Sequence, residues 1–187
     1  MNVYDFDHTI YDGNCTFDFI VYCGRQHPRT LAALIGAAGA GLRMAMGRAD
    51  KTFAKQRLFG FMRQLDDVDR EIERFWDGHI DKIKRWYRIQ MKPDDLVISA
   101  SPAFLVAPAC RRLGLRPPLA SPVDAATGRY FGVNCDGEEK VRRFREAFPD
   151  ARVERFYSDS DDDLPMARLA ERSFKVRGDE IAPWRPD

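Results

Sequence analysis

The alternation of short apolar runs with helical segments constrains this chain more than any other feature. Asn2 to Phe6 and Leu96 to Ala100 are apolar runs that end in polar residues, the pattern of buried strands in an α/β sheet rather than of half-exposed hairpins. Val153 to Tyr157 is a third, weaker run, and Ser173 to Val176 is a fourth candidate. Helical stretches separate them: Phe104 to Leu113, stopping at Gly114; Glu138 to Phe148, stopping at Pro149; and Leu164 to Glu171. The expectation is an α/β fold built on a doubly wound, Rossmann-like parallel sheet, whose ligands gather at the carboxyl ends of the strands.

From Asn14 to Tyr87 the alternation stops, and the segment reads as helix after helix. This points to a helical cap, residues 14–87, inserted into a core made of residues 1–13 and 88–187 and large enough to form a small core of its own. Charge is partitioned in the same way. The insertion carries 13 basic and 9 acidic residues, net +4, and the rest carries 17 and 20, net −3. Arg43, Arg48, Lys51, Lys55, Arg57 and Arg63 face only Asp50 as an opposing charge. They read either as a solvated helix face or as a guide for an anionic substrate or surface. Eight of the ten residues from Ala32 to Gly41 are Ala or Gly, which fits a tightly packed helix pair or a membrane-touching surface.

Composition excludes several classes of partner. With 30 Lys+Arg against 29 Asp+Glu, the chain is not basic enough to read as a nucleic-acid binder. Its charge-free stretches, such as the 13 residues from Thr30 to Leu42, are short of the roughly 20 needed for a transmembrane helix. Cys15, Cys23, Cys110 and Cys135 form no C-x-x-C pair, which favours reduced thiols. No secretory signal is evident at Met1 to Asp7, so a cytoplasmic location is the expectation.

The chemistry concentrates in acidic residues at strand ends. Asp5-Phe6-Asp7-His8-Thr9 closes the first strand with two carboxylates two residues apart, able to hold a hard cation and leave one oxygen as a nucleophile. A strand-end turn with side-chain hydrogen bonds explains the motif in isolation equally well. Three further features change the balance: a hydroxyl at Ser99 ending the second strand, an ammonium at Lys140 in the first turn of a helix, and the run Ser158 to Asp163 after a third strand. Four acidic residues within five positions repel one another unless cations or donors are near.

In this order and at strand ends, these residues resemble the haloacid dehalogenase superfamily of phosphohydrolases. The stretch from Tyr157 to Met166 and the helical insertion are similar to its phosphoserine-phosphatase-like branch with a C1-type cap. The resemblance implies a Mg²⁺-dependent phosphatase that hydrolyses a phosphomonoester through an aspartyl-phosphate. It assigns Asp5 as nucleophile, Asp7 as general acid and base, and Ser99, Lys140 and Thr9 as phosphate binders. Asp5, Asp7, Asp159 and Asp163 form the implied metal set, Asp7 through its backbone carbonyl, with Asp161 and Asp162 as rivals to Asp163. Asp7 also argues against carbon–halogen hydrolysis, since the dehalogenases of the superfamily lack it. Asn14 stands where the phosphoserine phosphatases carry a substrate-binding Glu, and Arg48 and Lys51 are further candidates for substrate selection. A neutral amide pairs poorly with an ammonium, which turns the expectation from phosphoserine toward another small phosphorylated metabolite. Two alternatives stay open. One is a lipid phosphate met at a membrane surface, because Leu31 to Met46 followed by Arg48, Lys51, Lys55 and Arg57 echoes the basic, apolar cap of the phosphatidylglycerophosphate phosphatases. The other is a non-catalytic phosphate-binding regulator.

Overall fold

The computed structural model describes residues 1–30 and 59–185. Arg48, Lys51, the Ala/Gly-rich stretch and most of the basic cluster of the insertion lie outside the described residues.

The sheet forms from β1 (Asn2–Tyr4), β2 (Leu96–Pro102), β3 (Leu119–Ser121), β4 (Arg155–Ser158), β5 (Arg172–Arg177) and β6 (Glu180–Trp184), in the order β3-β2-β1-β4-β5-β6. The first five are parallel where they pair, and β6 runs antiparallel to β5. The expected parallel sheet is found, with one antiparallel strand at its edge, where Gly178, at φ +59, lets the chain turn straight back instead of crossing over. Pro183 sits in β6, an edge strand, where a missing N–H is tolerated.

Alternation within the strands explains why both faces are covered. Val3, Leu96, Ile98 and Phe156 enter one buried cluster, with Val141 and Phe144 of α5 (Glu138–Ala147) and Met166 of α6 (Leu164–Leu169). Their neighbours Tyr4, Val97 and Tyr157 enter the other. Across that second face Tyr4, Tyr157 and Phe174 stack at 4.7 Å spacings.

Between β1 and β2 the described residues are helical: α1 (Cys15–Gln26), α2 (Val68–His79) and α3 (Arg85–Gln90), with short 3-10 turns between. Asn14 caps α1 by accepting the Phe17 amide, and Asp67 caps α2 by accepting that of Arg70. Among the described residues, this segment packs into the same core as the sheet. Phe19, Phe61, Phe75 and Trp76 join one continuous cluster with Phe6 and with Leu105 of α4 (Ala103–Arg112). The Trp76 indole N–H donates to the Leu105 carbonyl at 2.9 Å, which fastens α2 to α4. All four cysteines are buried and free. No helix among the described residues is long and apolar enough to cross a membrane.

Candidate active site

The strand order reverses at β1, with β2 on one side and β4 on the other, and crevices at such a point hold the ligands of open α/β sheets. Asp5 follows β1 and Asp159 follows β4, so the sheet brings together carboxylates 154 positions apart. The Asp5 amide donates to Tyr157 O at 2.9 Å, which extends the β1–β4 ladder up to the site.

Each oxygen of Asp5 has its own partner. Oδ1 accepts from Lys140 Nζ at 2.7 Å, and Oδ2 lies 3.2 Å from Thr9 Oγ1. That hydroxyl is also 3.3 Å from Asp159 Oδ1 and accepts the Asp159 amide at 3.0 Å. It has one proton for two carboxylates. Burial pushes the Asp5 carboxyl up to about 7, with Asp163 adding to the effect and Lys140 opposing it. Burial likewise raises Asp159, against the pull of His8 and Thr9. Lys140 is 2% exposed and lies between Asp5 and Asp163, 2.7 Å from an oxygen of each. Burial alone would lower its pKa, but the two carboxylates overcome this and hold the ammonium well above the usual lysine value.

Asp7 is anchored at both oxygens. Oδ1 accepts the Cys15 amide at 2.6 Å, at the start of α1, and Oδ2 accepts the Ser101 hydroxyl at 2.5 Å. Ser99 Oγ, almost fully buried, accepts the Ser101 amide at 3.0 Å.

Several residues fall in places the sequence did not indicate. Thr9 is fully buried and stands between Asp5 and Asp159. Asp163 meets Lys140 with both oxygens and accepts the Ser158 hydroxyl at 2.6 Å. Asp161 is paired with Lys175 at 2.6 Å. The side-chain oxygen of Asn14 is occupied in capping α1. Ser101 and Ser158 escaped the sequence reading because a serine beside a motif serine or within an acidic run gives no signal of its own.

Two hard carboxylate donors, both pushed toward neutrality by burial and sharing one hydroxyl proton, suit a small divalent cation. Among the described residues no group of three or more His, Cys, Asp or Glu side chains is gathered for a metal. An ion such as Mg²⁺ would here be held by one or two carboxylates, with main-chain, water and substrate oxygens completing its shell.

Comparison with known proteins bears on the family and the fold. Residues 3–168 match the haloacid dehalogenase-like hydrolase model. The chain is 33% identical over 88 residues to Protein CicA of Caulobacter vibrioides, a match that covers 43% of this chain and 40% of that protein. Among solved structures it resembles a Bordetella pertussis Tohama I protein of unknown function, with TM-score 0.74 and 19% identity over 92% of this chain and 87% of the other. It also resembles a phosphoserine phosphohydrolase-like protein from Francisella tularensis, with TM-score 0.59 and 13% identity over 92% and 86% of the two chains. A probable phosphoserine phosphatase from Vibrio cholerae gives TM-score 0.62 at 12% identity, over 92% of this chain and 55% of that one. These low-identity likenesses speak for the fold, and the family match spans most of the chain: this protein belongs to the haloacid dehalogenase-like hydrolases.

Proposed function

We propose that this chain is a Mg²⁺-dependent phosphatase that hydrolyses a small phosphomonoester through an aspartyl-phosphate on Asp5. The observation that carries the reading is the convergence of Asp5 and Asp159 on Thr9 at the reversal of strand order, with Lys140 on the other oxygen of Asp5. The fold and catalytic class of the family are consistent with it.

The residues divide the work as follows. Asp5 and Asp159 side chains and the Asp7 carbonyl would hold the ion, whose charge offsets repulsion between a carboxylate and an anionic ester. Asp5 attacks phosphorus. Lys140, paired with the Asp5 oxygen, places a positive charge beside the phosphoryl group that Asp5 would receive. Ser99 accepts the Ser101 amide, which leaves its own proton for a second phosphoryl oxygen. Asp7 gives its proton to the departing oxygen and then, ionised, takes one from the water that cleaves the aspartyl-phosphate. The helical insertion, residues 14–87, carries a net positive charge, which favours an anionic substrate.

The test is phosphate release from 4-nitrophenyl phosphate by the purified chain. Mg²⁺-dependent release, stopped by chelation and lost in Asp5→Asn, is the expected result. A wild-type protein inactive with every divalent ion would overturn this reading.

A further inference from the structure

We propose that Ser101 is a positioning residue for Asp7, and that it couples the aim of the acid/base both to the phosphate binder Ser99 and to the seat of α1. The proposal rests on the phosphatase reading above. The pairing of β2 with β3 is irregular between Ser99 and Pro102: Ser99 faces Ala120, while Pro102 faces the very next residue, Ser121. Two residues of β2 therefore stand outside the ladder, and such bulges commonly redirect a side chain beside an active site. Ser121 Oγ donates to Ala100 O at 2.9 Å and secures the irregularity. Ser101, 5% exposed, is held from both ends, its amide on Ser99 Oγ and its hydroxyl on Asp7 Oδ2.

The direction of the hydroxyl chain follows from proton count. Ser101 has one proton, given to Asp7 at 2.5 Å, so Thr16 Oγ1, 3.0 Å away, must be the donor to Ser101. Thr16 is the second residue of α1, directly after Cys15, whose amide takes the other oxygen of Asp7. Donors from β2 and from α1 thus fix the plane of the Asp7 carboxyl group, and each of its oxygens keeps a second lone pair for the reaction. As the bond from phosphorus to the ester oxygen breaks and that to Asp5 forms, the Asp7 proton passes to the departing oxygen. Aim matters only where that oxygen needs the proton.

The experiment compares kcat/KM for ethyl phosphate, a poor leaving group, with that for 4-nitrophenyl phosphate, a good one, at saturating Mg²⁺. This parameter reports phosphoryl transfer to Asp5 and excludes later hydrolysis. Ser101→Ala should lower the ethyl ester value by about 10²-fold, the usual scale of acid catalysis, and the aryl value by at least tenfold less. Ser101→Thr should restore most of the loss, and Thr16→Val should show the same dependence on leaving group with smaller size and without relying on the Ser101 variants folding. Equal losses on both esters, or no loss on either, would overturn the proposal. Wild-type protein inactive on both esters would instead remove the phosphatase reading beneath it.

Discussion

Lys140 Nζ lies 2.7 Å from Asp5 Oδ1, and the two side chains meet almost out of contact with water, 2% and 10% exposed. The ammonium is shared with Asp163, so one positive charge serves two buried carboxylates. Desolvating these groups is costly, and the hydrogen bonds from Lys140 to Asp5 and Asp163 offset part of that cost. Removing the cation should therefore harm the fold as well as the chemistry. Lys140→Met should lose about 3–5 kcal/mol of stability, the usual result of stripping one partner from a buried ion pair, and nearly all phosphate release. Adding Asp5→Asn to Lys140→Met should recover part of the stability, measured by urea unfolding as a double-mutant cycle. Additive losses would show that the pair is not coupled.

Thr9 makes a second prediction. Its hydroxyl accepts the Asp159 amide and stands between two carboxylates. Thr9→Val keeps the volume but leaves that amide without its acceptor, at about 1–3 kcal/mol. The Mg²⁺ concentration needed for half-maximal activity should rise, and Thr9→Ser should restore it. An unchanged Mg²⁺ titration would mean that Thr9 does not organise the carboxylates.

Trp76 is fully buried, edge-on to Phe6 at 6.0 Å and to Tyr11 at 5.7 Å. Because α2 shares its core with the sheet, Trp76→Ala should cost about 3–5 kcal/mol and unfold the whole chain in a single weakened transition. Trp76→Phe should lose little more than the bond to Leu105, about 1 kcal/mol. Thermal unfolding in two steps, with the second unaffected, would contradict the shared core.

Glu71 sets a pH dependence. Burial raises its carboxyl, but His27 at 3.3 Å and the hydrogen bond from the Tyr22 hydroxyl at 3.0 Å overcome that and hold it below the ordinary glutamate value of 4.5. A carboxyl depressed in the folded state stabilises the fold above its unfolded pKa, and that contribution is lost as pH falls through the depressed value. The melting temperature of wild type should thus fall more steeply below pH 4.5 than that of Glu71→Gln. Parallel curves would show that Glu71 contributes nothing to the acid limb.

Much of this architecture was legible in the sequence. The strands β1, β2, β4 and β5 follow from apolar runs, because buried parallel strands need apolar side chains on both faces. β3 was missed since three residues, Leu119 to Ser121, are too few to show a period. β6 was missed since Glu180, Ala182 and Pro183 carry little strand signal and pairing with β5 supplies the rest.

The candidate site divides along the same line. Asp5, Asp7, Ser99, Lys140 and Asp159 stand out because short motifs after strands are local, and local order in the chain limits where their side chains go. The partners of those residues are not local. Thr9 bridges to Asp159 across 150 positions, Asp7 meets Ser101 across 94, and Lys140 reaches Asp5 across 135. Chemical type was thus written in the chain, whereas the choice of which hydroxyl and which ammonium satisfies which carboxylate came from packing. Burial forces every charged group to find a partner, and only the folded sheet sets which partners lie within reach.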